Sequence, residues 1–231
     1  MKRNEKVQIL CYGDSNTWGC IPRWEESCLP SLRYDEQHRW PTVLQARLGT
    51  GFQVVAEGLG GRTTIYHTDA EPWKNGESYL LPCLRSHRPL DLVIIMLGTN
   101  DLQAVYHVAP GQLKTGIARL AEMVRQDPTS GRDAAAPQVL LLAPIEVRKS
   151  APQGRTAVFE KFQGEAGASL SRQFATAYAE VAKETGCYFL DAARFAQPSP
   201  ADGIHFDPDS HVRLGEAIAE LIVQEIFVEG K

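Results

Sequence analysis

The chain has 231 residues, of which 43% are hydrophobic and 23% charged, and its 24 Lys+Arg against 28 Asp+Glu leave a formal net charge of -4. This suits one large α/β domain spanning 1–231, with enough apolar residues to bury a core, and excludes a chain that is disordered as a whole. The slight acidity and the scatter of Lys and Arg argue against nucleic acid as a partner, since a binder would concentrate a basic face.

No apolar stretch approaches the roughly 18 residues needed to span a bilayer, so no membrane partner is expected. The longest, 92–97 and 139–143, have the length of buried strands. Lys2 and Arg3 open the chain, but the apolar run at 7–11 is too short for a secretory core and no small-residue cleavage site follows it. The five cysteines are odd in number and form no Cys-x-x-Cys pair. They read as reduced thiols, with Cys11, Cys83 and Cys187 as small core residues, and a cytoplasmic location is expected. Cys20 and Cys28 are close enough in sequence to pair, but nothing else signals an oxidising compartment.

In chain order, 7–12 reads as a buried strand stopped by Gly13, and 52–56 as a strand running into Gly58, Gly60 and Gly61. Residues 91–97 form the strongest strand, continuously apolar through Val93, Ile94 and Ile95. Residues 138–143 stop similarly at Pro144, and 187–190 is a shorter fifth candidate. Continuous apolar runs are expected where helices cover both faces of a parallel sheet. One helix face is spelled by Leu113, Ile117, Leu120, Ala121 and Val124. A second is spelled by Leu170, Phe174, Ala177, Tyr178 and Val181, and a third by Leu214, Ile218, Leu221 and Ile222. The alternation predicts a three-layer, doubly wound, flavodoxin-like α/β fold with a five-stranded parallel sheet and helices on both faces. Two segments read as insertions, 20–40 and 145–166, because neither carries a sustained helix or strand period.

Ligands of such sheets bind beyond the carboxyl ends of the strands, and four loops there or before the last helix carry chemistry. Gly13-Asp14-Ser15-Asn16 places a serine at a strand-to-helix turn. Gly58-Leu59-Gly60-Gly61-Arg62-Thr63-Thr64 lets backbone N–H groups approach a ligand, Gly98-Thr99-Asn100-Asp101 follows the strongest strand, and Asp202-Gly203-Ile204-His205 precedes the last helix. Together they supply a nucleophile, anion donors and an Asp/His pair for base catalysis. A phosphate-binding P-loop is excluded by the lack of Gly-x-x-x-x-Gly-Lys-Ser/Thr, and GLGGRT lacks the dinucleotide spacing.

Taken in this order, the four blocks resemble those of the SGNH hydrolases of the GDSL esterase family over residues 9 to about 218. The phrases GDSNTWG, EGLGGRTT, RPLDLVIIMLGTND and DGIHF are most similar to its arylesterase/acyltransferase branch. The resemblance implies a serine esterase acting on small acyl esters through an acyl-enzyme, with acyl transfer to alcohols or peroxide as a further activity. Carbohydrate or thioester deacylation is the alternative on the same residues, and an idle binding module a weaker one. Ser15 would attack the carbonyl, His205 would move the proton, and Asp202 would orient the imidazole. Ser15 and Gly61 N–H groups and the Asn100 amide would hold the oxyanion. Asp14, Asn16 and Trp18 are the expected substrate-side neighbours, with a turn role open for Asp14 and a packing role for Trp18. Asn16 stands where the family name expects Leu. No cofactor or metal is needed, and a homo-oligomer is expected, with 20–40 as an intersubunit wall or a lid. His211, in the last helix, is expected to pack rather than react.

Overall fold

The computed structural model describes residues 5–25 and 31–227; Cys28 and the 26–30 part of the 20–40 segment, which belong to the expectations above, lie outside them. Five parallel strands make one sheet: β1 (Val7–Gly13), β2 (Phe52–Gly58), β3 (Leu92–Met96), β4 (Gln138–Ala143) and β5 (Tyr188–Asp191). Their order is β2-β1-β3-β4-β5, the flavodoxin-like order expected. Gly13 pairs in register with Gly58 on one side and Met96 on the other, so the carboxyl ends of β1, β2 and β3 finish level.

Alternate residues of each strand feed two cores. Leu10, Val93, Ile95, Val139 and Leu141 face one layer, and Ile9, Leu92, Ile94, Leu140 and Leu142 face the other. The first layer is α3 (Gly76–Ser86), α4 (Leu113–Arg125), α6 (Gly164–Ser171) and α7 (Phe174–Thr185). The second is α2 (Trp40–Leu48) against α8 (Pro208–Leu221). Both faces being covered explains why the central strands lack polar alternation. Cutting a central side chain such as Ile94, fully buried, to Ala would cost about 2–5 kcal/mol.

Several boundaries differ from the periodicity reading. Leu170 belongs to α6, not to the helix of Phe174 and Tyr178, because the chain breaks at Arg172 and Gln173. Helix α2 begins at Trp40, inside the expected 20–40 insertion, with Trp40, Val43 and Leu44 buried. Helix α3 was not anticipated: Asn75 caps it by accepting from the Ser78 N–H, but Pro82 interrupts the pattern that Leu80, Cys83 and Leu84 would otherwise spell. The last helix turns into a π-helical stretch over Ile222–Ile226.

The two insertions are tied down at the carboxyl edge of the sheet. The ends of the first pair with each other, Ile21 N–H donating to the Leu32 carbonyl at 2.9 Å and Tyr34 N–H to that of Gly19 at 2.8 Å. The second runs along the loop ahead of α8, with Arg148 N–H on the Gly203 carbonyl at 2.9 Å and Arg155 N–H on that of Ala201 at 2.8 Å. It then forms α5 (Thr156–Lys161), a helix inside a segment that reads as loop.

Candidate active site

Ser15 opens α1 (Ser15–Trp18), a single turn set directly on the end of β1. Asp14 caps that turn, its side chain accepting from the Asn16 N–H at 2.9 Å. The turn is pressed against β2: a Cβ on Gly58 would lie 2.2 Å from the Trp18 nitrogen, so only glycine fits there. Ser15 is thereby held in the crevice between β1 and β3, where the strand order reverses.

His205 reaches Ser15 from a loop 190 residues away. Its Nε2 lies 2.9 Å from Ser15 Oγ, and its Nδ1 lies 2.7 Å from Asp202 Oδ2. The other Asp202 oxygen accepts the backbone N–H groups of Ile204, at 3.2 Å, and His205, at 3.0 Å. Burial would raise the Asp202 carboxyl pKa, but the His205 imidazole above all, and then these two backbone N–H groups, hold it below the usual range. For His205, burial alone would lower the imidazole pKa, but the Asp202 carboxylate and the neighbouring Cys20 thiol outweigh it and raise it above the ordinary value.

Gly61 takes a left-handed φ of +80°, and a side chain there would meet the Lys74 stem, 2.8 Å from Cε. Asn100 sits in the 3₁₀ turn after β3. Its Nδ2 lies 3.2 Å from the Arg62 carbonyl and 3.3 Å from Asp14 Oδ2, and its Oδ1 accepts from Gln103 Nε2 at 2.9 Å. Arg62, buried, donates to the carbonyls of Gly13 and Glu57 and stacks over Tyr12 at 4.3 Å, locking the loops after β1 and β2 together. Asp101 accepts the Thr64 N–H at 2.8 Å and hydroxyl at 2.5 Å; burial raises its carboxyl pKa to about 7.

Ser15, Gly61, Asn100 and His205 all open into one cleft of about 290 Å³. The three expected substrate-side neighbours do not line it. Asp14 faces the turn and Asn100, and burial first of all raises its pKa to about 6. Asn16 turns into the His205 loop, donating to the Ile204 carbonyl at 3.0 Å and accepting from Phe206 N–H at 3.1 Å. Trp18 is covered by the Arg33 guanidinium, 5.2 Å from its ring centre. All three are drawn away because their partners lie within the protein.

The sequence reading missed Cys20, Lys74, Gln103, Arg155 and Lys161, which also line the cleft. Gln103 was within sight, three residues past Asn100, but the cations arrive from segments without a motif. Among the described residues, one grouping away from the cleft has metal-ligating atoms within 4.8 Å of one another, Glu57, Cys83 and His87. There Glu57 Oε1 and His87 Nε2 lie 2.8 Å apart, and burial pushes the Cys83 thiol up to about 12, which keeps it protonated.

Residues 11–213 match the model of the GDSL-like lipase/acylhydrolase family. The chain belongs to that family. Among solved structures, this GDSL hydrolase is similar to the aryl esterase of M. smegmatis, at 36% identity over 94% of this chain and 98% of the other, with a TM-score of 0.84. It is similar to a carbohydrate acetylesterase from Sinorhizobium meliloti, at 36% identity over 94% and 98%, with a TM-score of 0.85. A carbohydrate acetylesterase family member from the same organism is 34% identical over 94% and 97%, with a TM-score of 0.83. No curated protein matches. The chain is a carboxylic ester hydrolase, and among its described residues no helix is long and apolar enough to cross a membrane.

Proposed function

We propose that this chain, acting as one domain, is a serine esterase for small acyl esters, with Ser15, His205 and Asp202 as its catalytic residues. The observation that carries this is the continuous relay of 2.9 Å from Ser15 Oγ to His205 Nε2 and 2.7 Å from His205 Nδ1 to Asp202. His205 takes the proton as Ser15 Oγ attacks the ester carbonyl and gives it to the departing alkoxide oxygen; water then repeats the sequence on the acyl-enzyme. Asp202 holds the imidazole tautomer and stabilises the imidazolium. The oxyanion is received by the Ser15 and Gly61 N–H groups and Asn100 Nδ2, whose present contacts at 3.2 and 3.3 Å are long and readily exchanged.

A cleft of about 290 Å³ is at the small end of ligand pockets and favours short acyl groups. The names of the solved relatives support aryl and carbohydrate esters as the first substrates to test. Labelling with a fluorophosphonate tests the reading directly: the expected product carries the phosphonate on Ser15, and no labelling there would sink it.

Acyl transfer to an added alcohol is part of this proposal, read as alkyl ester formed beside free acid. Self-association is another part: Trp24 and Leu32 stand 46% and 61% exposed on a segment whose Cys20 and Ser31 reach the cleft. Trp40 and Tyr34 do not share in that surface, since Trp40 is buried and Tyr34 packs edge-on to His211. Light scattering decides it, a monomer at micromolar concentration ruling it out. A cytoplasmic location is supported by the free thiols of Cys11, Cys20, Cys83 and Cys187.

A further inference from the structure

We propose that a second cavity beside the catalytic cleft binds the alcohol half of the substrate, and that this alcohol is a neutral sugar ring; the proposal rests on the esterase reading of the cleft. The cavity has about 540 Å³ and is lined chiefly by Glu57, Leu59, Arg62, Trp73, Ser78 and Tyr79. It shares a wall with the cleft. Leu59 and Arg62 line the cavity while Gly60 and Gly61 between them line the cleft, and Trp73 lines the one while Lys74 lines the other. A Cβ added at Gly60 would have nothing within 4 Å, so the wall is open there and an ester can cross it.

Trp73 and Tyr79 are 59% and 39% exposed, large aromatic side chains that the fold leaves uncovered. A single exposed aromatic is ordinary, but two on one concave wall, together with polar groups, mark a ligand groove. Both are held in place before any ligand arrives. Trp73 lies in a 3₁₀ turn over Pro72–Lys74, anchored by the Thr63 N–H donating to the Lys74 carbonyl at 2.9 Å. Tyr79 stands on α3, its ring centre 6.4 Å from that of Tyr12 and 5.4 Å from the Arg62 guanidinium.

The polar groups select the kind of ring. Glu57 Oε1 meets His87 Nε2 at 2.8 Å and Oε2 accepts from the Tyr79 hydroxyl at a long 3.4 Å, out of the roughly four bonds a carboxylate can accept. Ser78 Oγ donates to the Asn75 carbonyl at 3.0 Å, which leaves its own lone pairs to accept. Sugar hydroxyls supply donors to both, while the C–H face of the ring lies on an aromatic surface. A bare hydrocarbon ring would cover the same aromatics but strip water from Glu57 without replacing it. Among the lining residues Arg62 and Glu57 bring one charge of each sign, so a neutral ring suits the cavity better than an ion. In the reaction the sugar is the leaving alcohol: its bond to the acyl carbon breaks, the acyl group stays on Ser15, and His205 gives its proton to the sugar oxygen.

Three acetates test this, with acetate release followed by titration: methyl 6-O-acetyl-glucopyranoside, cyclohexylmethyl acetate as its hydrocarbon match, and ethyl acetate, which has no ring. The expected order of kcat/KM is the sugar ester first, the hydrocarbon ring second and ethyl acetate last. Trp73→Ala should cut the ratio of sugar ester to ethyl acetate roughly tenfold or more, as truncating an aromatic anchor does, while Trp73→Phe keeps most of it. Glu57→Gln should narrow the gap between the sugar ester and its hydrocarbon match, since the amide trades an acceptor for a donor. Near-UV circular dichroism of each variant checks the fold, and the order of the three esters on the unaltered protein needs no variant. Turnover with no preference for the sugar ester, or a preference that Trp73→Ala leaves unmoved, overturns the proposal and leaves the esterase reading standing. So does an oligomer that Trp73→Ala dissolves with the ester ratios unchanged, which would give this surface to a second copy of the chain. No turnover of any ester together with no fluorophosphonate on Ser15 overturns both.

Discussion

Asn16 clamps Phe206: its side-chain carbonyl accepts the Phe206 N–H at 3.1 Å, while its amide donates to the adjacent Ile204 carbonyl at 3.0 Å. The residue after Ser15 thus grips the peptide on both sides of His205. The family name expects leucine at this place, and leucine would leave two buried backbone groups unmet, each at about 1–3 kcal/mol. Asn16→Leu should therefore lower the melting temperature and cut kcat roughly 10- to 100-fold, with KM little changed, as His205 drifts from Ser15. Asn16→Asp, which keeps the acceptor for Phe206, should recover part of kcat. Calorimetry and steady-state kinetics on the two variants check this, and an Asn16→Leu protein with full kcat would remove the clamp from the mechanism.

Asn100 is predicted to act on charge that develops only during reaction. Asn100→Ala should lower kcat by roughly 100- to 1,000-fold, the usual effect of losing one oxyanion donor, with KM nearly constant. Gln103 acts through it, donating to Asn100 Oδ1 at 2.9 Å, so Gln103→Ala should show a smaller kcat loss of the same kind. A change confined to KM in both variants would make them ground-state binders instead.

How much of this was legible follows the physics of each element. The buried strands β1, β3 and β4 announce themselves because covering on both faces demands unbroken apolar runs such as Val93-Ile94-Ile95. Ser15, Gly61, Asn100, Asp202 and His205 are legible because each stands at a strand end or turn whose backbone needs are written in neighbouring Gly, Asp and Asn. The direction of Asn16 and Trp18 is not written there, since it depends on a loop 190 residues away and on Arg33. The cleft cations are equally silent, because Lys74, Arg155 and Lys161 meet only through tertiary packing of segments that carry no period of their own. Helix α3 was hidden by Pro82, and α2 by lying at the end of a charged, aromatic stretch.

The pH dependence follows from the pairing of His205 with Asp202. A base must be neutral to accept the Ser15 proton, and the carboxylate together with the Cys20 thiol holds the imidazole protonated to higher pH than usual. The rate should therefore rise with pH and reach half its plateau above the ordinary histidine value of about 6.5. Asp202→Asn should move that midpoint down while lowering the plateau, and Cys20→Ala should move it down by less. Ser15→Ala and His205→Ala should each abolish most turnover, and their double variant should lose no more than either alone. A pH–rate profile that is flat from pH 5 to 9 would contradict a histidine base.

The last prediction concerns stability in acid and turns on His211, fully buried on α8 between Tyr34 and Phe206. Its Nδ1 faces the Trp40 N–H at 3.4 Å, and its Nε2 has no hydrogen-bond partner among the described residues. Burial above all, with His205 and His38 adding to it, lowers its pKa to about 3. The folded state therefore refuses a proton that the unfolded chain accepts near 6.5, so the stability held above pH 6.5 is lost as pH falls toward 3. Asp14 and Asp101 work the other way: their raised values of about 6 and 7 make protonation favour the fold as pH drops. A plain acid titration would mix these signs, whereas a difference against a variant that cannot titrate at this position isolates one. His211→Asn should be less stable than the parent at pH 8, where it loses packing, and the gap should narrow steadily between pH 6.5 and 4. Urea midpoints measured across that range give the answer; a gap independent of pH would mean that His211 titrates alike in the folded and unfolded chain.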